Sequence, residues 1–210
     1  MKAITKLQLL TLSMLLLPGL STAADSGAAD TFEENLTVAE AITLDVNTGS
    51  GSIEISSGPG RDVKITGKIK VRRSSFWRRN ADADEIIQQV IDNPPVEVSD
   101  GLVRVGRFED RSLGKRVSIS YKIVVPADSE VRASTGSGSI SVNDIAARVN
   151  ADSGSGRLRL ANIGGYVEAS TGSGSIRAEK VAGGFKSSSG SGSVFLSQTA
   201  PGDVSVSTGS

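Results

Sequence analysis

The residues best suited to gripping another molecule fall together in Arg72-Arg73-Ser74-Ser75-Phe76-Trp77-Arg78-Arg79, where four arginines surround the only tryptophan of the chain. Guanidinium forks match the paired oxygens of phosphate and carboxylate, and tryptophan suits interfaces because an apolar ring carries one polar N–H. Arg72, Arg73, Trp77, Arg78 and Arg79 are therefore the candidate contact for an anionic polymer, a lipid headgroup or an acidic protein. The plainer alternative packs Trp77 beneath a neighbouring helix. It leaves the arginines solvated or paired with Asp82, Asp84 and Glu85.

Catalysis finds little to work with. The chain contains no cysteine and no histidine. That removes disulfides, a thiol nucleophile, cysteine metal sites, a lipid-modified N-terminal cysteine and the usual general base. The nearest approach to a carboxylate pair is Glu109-Asp110, set between Arg107-Phe108 and Arg111. Adjacent mixed charges of this kind read as a solvated loop. The Gly-Ser-Gly segments lack the Lys and following Ser or Thr of a phosphate-binding loop, and strands follow them instead of a helix. They also lack the aspartates of calcium-binding β-rolls, and Asp144 and Asp152 read as single solvated turn residues. No catalytic residue, cofactor site or metal site is assigned, and the reading is of a protein that is not an enzyme. One hydroxyl column, Thr135, Ser153, Thr171 and Ser189, shares the parity of Val131 and Ala133. It is expected to face inward and to bond along the stack.

Basic and acidic residues balance, 23 of each, so nothing electrostatic favours general nucleic-acid binding. Residues 1–23 read as a secretory signal peptide: Lys2 and Lys6 are followed by the short apolar run from Leu9 to Leu17, then Pro18-Gly19 and the small Ser21-Thr22-Ala23. The run falls well short of the ~20 residues that span a bilayer, and no later segment is apolar enough. The expectation is an exported chain, periplasmic, extracellular or at the cell surface, with no transmembrane segment once the signal is removed. Residues 24–40 are assigned to a flexible N-terminal segment and 41–210 to one domain.

The elements that must carry these side chains follow from a repeat. Thr135-Gly136-Ser137-Gly138-Ser139-Ile140 recurs at Ser153, Thr171 and Ser189, so Gly136, Gly154, Gly172 and Gly190 are each 18 residues apart. Columns appear at that spacing. Val131, Val149, Val167 and Phe185 make one; Ile140, Leu158, Ile176 and Val194 make another. Within each repeat apolar and polar residues alternate, as in a strand with one buried face. The predicted fold is all-β: a single-stranded parallel β-solenoid or β-helix of about 18 residues per coil, with rungs about 4.8 Å apart. Glycine at the corners is explained by its access to positive φ.

Upstream the pattern loosens. Leu44, Val46, Thr48-Gly49-Ser50-Gly51-Ser52-Ile53 and Ile55 make one further coil. Val96 to Val105 reads as a hairpin turning at Asp100-Gly101, and Val117 to Val125 as a long alternating strand. Ala81 to Asp92 carries a helical stripe of Ile86, Ile87, Val90 and Ile91, ended by Asn93-Pro94-Pro95. It is placed as one short lateral α-helix, an insertion near residues 80–93.

Strands leading into Val125-Pro126-Ala127, then Val131-Arg132-Ala133-Ser134-Thr135-Gly136-Ser137-Gly138, resemble the bacterial "putative adhesin" domain family over roughly residues 40–210. Many members carry an acidic residue after the second glycine, where this chain has Ser52, Ser139, Ser175 and Ser193, and Arg157 once. The resemblance implies β-solenoid coils and an exported, non-catalytic binding or scaffolding module of the cell envelope, with an envelope polymer, lipid headgroup or protein as partner. Two alternatives remain open at this stage. One is a self-stacking envelope protein, because Val204 to Ser210 begins another coil and stops at its corner, exposing an end for end-to-end association. The other is a polysaccharide-acting β-helix enzyme.

Overall fold

The computed structural model describes residues 29–72 and 80–209. The signal peptide assigned to residues 1–23 lies outside the described residues, as do Arg73, Trp77, Arg78 and Arg79.

Period-two alternation produces most of the structure. The upstream elements are β1 (Ala29–Thr37), β2 (Thr43–Thr48), β3 (Ile53–Gly58), β4 (Asp62–Val71), α1 (Asn80–Asp92), β5 (Val96–Ser99), β6 (Leu102–Val105), α2 (Arg111–Arg116) and β7 (Val117–Pro126). The downstream strands are β8 (Glu130–Thr135), β9 (Ile140–Asn143), β10 (Val149–Ser153), β11 (Leu158–Ile163), β12 (Val167–Ser173), β13 (Ile176–Val181), β14 (Phe185–Ser191), β15 (Val194–Gln198) and β16 (Val204–Thr208). In β4, Val63, Ile65 and Ile69 are fully buried, while Asp62, Lys64 and Lys68 face solvent. Gly67 takes an inward position because the Phe32 ring fills the space a Cβ would need.

The strands make two eight-stranded sheets, ordered β1-β4-β7-β3-β9-β11-β13-β15 and β16-β14-β12-β10-β8-β2-β6-β5. Their inner faces share one apolar core, which runs from Phe32 and Ile65 through Leu44 and Val131 to Phe185. Both sheets are mixed. β1 pairs with β4, β4 with β7, and β5 with β6, all antiparallel. The predicted single-stranded parallel β-solenoid of about 18 residues per coil is therefore overturned. The physical reason lies upstream. β4 and β7 are ten residues each and alternate without a glycine corner, so they run straight past the point where a coil would bend and lie against each other instead.

The 18-residue spacing is a local rule of the downstream strands. Val131, Val149, Val167 and Phe185 pair in register across β8, β10, β12 and β14. Ile140, Leu158, Ile176 and Val194 do so across β9, β11, β13 and β15. The hydroxyl column is buried, as its parity implied. Thr135, Ser153, Thr171 and Ser189 donate to the carbonyls of Gly51, Gly138, Gly156 and Gly174 at 3.0–3.2 Å.

The corner glycines carry a second correction. Among them only Gly192 has positive φ. What requires glycine is close approach of stacked backbones: a Cβ on Gly156 would overlap the Gly138 carbonyl, and one on Gly174 the Gly156 carbonyl. The left-handed residues sit at the other corner, at Asp144, Asn162 and Lys180, again one period apart. There the Asn162 side-chain amide donates to Asp144 at 2.7 Å.

The hairpin, the long strand β7 and helix α1 stand where the sequence placed them. Ile86, Ile87 and Val90 of α1 are buried against β4 and β1. Strand β1 falls in the segment read as flexible, and α2 in the loop around Glu109-Asp110.

Candidate binding cleft

Two of the upstream departures build a cleft. Strand β2 runs parallel to β6, with Asp45 opposite Arg104. After β6 the chain turns at Gly106, in a left-handed conformation with φ 88°. Side chains are disfavoured there by conformation and by space, since a Cβ would overlap the Asn47 carbonyl. The turn throws Arg107 and Phe108 outward from the sheet and leads into α2. Asp110 caps that helix, accepting from the Ser112 amide at 2.7 Å and the Ser112 hydroxyl at 2.9 Å. These bonds, the hydroxyl's first, hold the Asp110 carboxyl below the usual carboxylate range. Gly114 brings the helix down on the Phe108 ring, where a Cβ would stand 3.0 Å from the ring edge. Residues Val117, Ile119 and Tyr121 of β7 close the other side.

The cleft is open to solvent on one side and holds about 460 Å³, and its wall carries Arg104, Arg107, Arg111 and Lys115 against the single carboxylate Asp45. Arg104 has a distant acidic partner, Glu97 at 3.8 Å. Arg107, Arg111 and Lys115 are exposed and make no ion pair among the described residues. Tyr121, only 2% exposed, also lines the cleft. Its ring meets Phe32 edge-on at 6.4 Å. Its hydroxyl has no hydrogen-bond partner among the described residues, and burial pushes its pKa well above the ordinary tyrosine value.

A second, shallower groove of about 470 Å³ shares Asn47, Thr48 and Gly49 with the cleft and continues across β8, β10 and β12. Its floor is a rung of outward side chains in register: Asn47, Ser134, Asp152 and Ser170. They bond in pairs, Asn47 to Ser134 at 2.8 Å and Ser170 to Asp152 at 2.6 Å. One continuous surface therefore has a basic end and a hydroxyl-rich end whose one charged group is the Asp152 carboxylate.

Of the contact residues chosen from sequence, only Arg72 is among the described residues. Its guanidinium donates to Ser50 and its amide to the Arg116 carbonyl at 2.8 Å. Arg72 thus ties the end of β4 to the end of α2, at the margin of the cleft. Arg107 and Arg111 lie in the segment that the sequence reads as a solvated loop, and the sequence does not single out Arg104, Lys115 or Tyr121. A signal was available in the basic residues flanking Glu109-Asp110, but only the parallel pairing of β2 with β6 brings Asp45 and Asn47 to face them. Among the described residues no cluster of potential metal ligands occurs, and no helix is long and apolar enough to cross a membrane.

No protein-family model and no curated protein matches the chain. Among solved structures it is similar to a "putative cell adhesion protein" from Clostridium sporogenes, at 14% identity and TM-score 0.39, covering 85% of this chain and 100% of that one. It is also similar to a "putative adhesin" from Bacteroides fragilis, at 13% identity and TM-score 0.32, covering 85% and 97%. A third, from Parabacteroides merdae, shares 9% identity with TM-score 0.29 over 87% and 97% of the two chains.

Proposed function

We propose that the chain is a non-catalytic, adhesin-like binding module of the bacterial cell envelope, exported from the cytoplasm, with the cleft between β2, β6 and α2 as its contact surface. The observation that carries this reading is the concentration of Arg104, Arg107, Arg111 and Lys115 around one open cavity in a chain of zero formal net charge. Cations held together against their mutual repulsion are a cost to folding that a bound anion removes. The absence of histidine and cysteine from the sequence, and its leader-like first 23 residues, agree with binding outside the cytoplasm rather than with turnover.

The test is sedimentation of the full chain with purified cell walls and with anionic lipid vesicles. Replacing Arg107, Arg111 and Lys115 together by Ser is expected to lower the retained fraction at least about tenfold, the loss of roughly 1.4 kcal/mol or more of binding. The unfolding temperature should not fall, because all three side chains are exposed and removing them relieves their mutual repulsion. Retention equal to the parent chain overturns the cleft as contact surface, and cleavage of the bound polymer overturns the non-catalytic reading.

A further inference from the structure

The cleft and the rung groove together carry a charge gradient, basic at one end and with a single carboxylate at the other. At the cleft end Arg107, Arg111 and Lys115 offer cationic donors with no acidic partner among the described residues, and the buried Tyr121 hydroxyl offers one more donor with nothing to bond. A buried hydroxyl left unpaired costs stability, and a ligand oxygen placed against it recovers that cost. At the groove end the basic residues stop. Asn47, Ser134, Asp152 and Ser170 present an amide, two hydroxyls and one carboxylate in a straight row across adjacent strands. A second negative charge on the ligand would meet Asp152 there and be repelled. Neutral hydroxyls, in contrast, would find both donors and acceptors along the row.

Resting on the cleft as the binding site, we propose that its ligand is a short oligosaccharide ending in one acidic sugar. Its carboxylate lies among Arg107, Arg111 and Lys115 and accepts from Tyr121; its neutral sugars lie along Asn47, Ser134, Asp152 and Ser170. A uniformly charged polymer fits only the first half of this surface.

Calorimetric titration of the full chain with four probes tests this: an oligosaccharide ending in a single glucuronate, its methyl ester, free glucuronate and inorganic phosphate. The acid-ended oligosaccharide should bind, and the ester and free glucuronate should bind at least about tenfold more weakly. Tyr121→Phe should lower oligosaccharide affinity about three- to tenfold without lowering the unfolding temperature. Asn47→Ala should weaken the oligosaccharide and leave free glucuronate unchanged. Equal binding of acid and ester, or phosphate binding as tightly as the oligosaccharide, overturns the sugar assignment. The phosphate result, combined with cell-wall retention that depends on Arg107, Arg111 and Lys115, would leave the cleft reading standing. Failure of retention as well would sink both.

Discussion

From Val149 onward each strand lies parallel on the one about a period earlier, whereas before Glu130 the chain doubles back three times in antiparallel pairs and inserts two helices. The two regions share one core and differ in what their irregularities do. In the downstream half every polar group that points inward along the hydroxyl column from Thr135 to Ser189 is matched by a carbonyl one coil away. In the upstream half the Tyr121 hydroxyl is buried and unmatched, Gly106 is held in a left-handed turn, and three cations stand together. Along the hydroxyl column repetition satisfies its own hydrogen bonds because neighbours are copies; where downstream neighbours differ, as Ser187 does from Ala169 and Asn150 from Arg132, a buried polar atom is left without a partner among the described residues there too. Departure from repetition leaves unpaired groups, and these are where another molecule can add favourable contacts.

The sharpest way to break this comparison is to make the same substitution in both halves. Gly156→Ala places a methyl group against the Gly138 carbonyl, and the clash is with backbone that its own ladder bonds hold in place. Chemical denaturation should show a loss of at least ~2 kcal/mol. Gly101→Ala has open space around it and only its φ of 69° to resist, so the loss should be ~1 kcal/mol. Equal losses would mean that stacking contact is not what demands glycine at the repeat corners.

A smaller contrast concerns hydroxyls. Thr171→Val removes the donor to the Gly156 carbonyl and should cost ~1 kcal/mol in the same measurement. Tyr121→Phe removes a hydroxyl without a partner among the described residues and should cost nothing or stabilise slightly. A Tyr121→Phe loss as large as that of Thr171→Val would show that the tyrosine is satisfied in the free protein and is not held for a ligand.

The smallest effect belongs to surface charge. Glu168 accepts from Lys186 at 3.0 Å and pairs with Arg148 at 3.4 Å, and the Lys186 hydrogen bond leads in holding its carboxyl below 4.5. A depressed folded pKa contributes stability above the unfolded value and loses it as pH falls through the folded one. Glu168→Gln should therefore reduce stability slightly near neutrality and flatten the acid limb of the stability curve below pH 4.5. An unchanged acid limb would show that solvent screens the pair completely.

Legibility followed the same division. The columns through Val131 and Ile140, the inward hydroxyls, the Asp100-Gly101 hairpin and helix α1 could all be read from spacing alone, because each depends on residues close in sequence or on exact copies. Strand β1 was missed because Glu34 stands at an inward position between Phe32 and Leu36 and breaks the apolar alternation; burial raises its pKa accordingly. Helix α2 was missed because six residues containing a glycine have little helix propensity of their own, and its support comes from the Asp110 cap and the Phe108 ring.

By itself, then, the sequence determined which side chains face inward and which strands are copies of one another, since alternation and an 18-residue spacing are local properties of the chain. Only the tertiary structure decided that β4 and β7 run antiparallel instead of coiling, and that Asp45 and Asn47 lie beside Arg104, α2 and Tyr121. Those neighbours are far apart along the chain. Nothing in their spacing distinguishes the pairing that forms from the pairings that do not; the shared burial of two sheets against one core makes that choice.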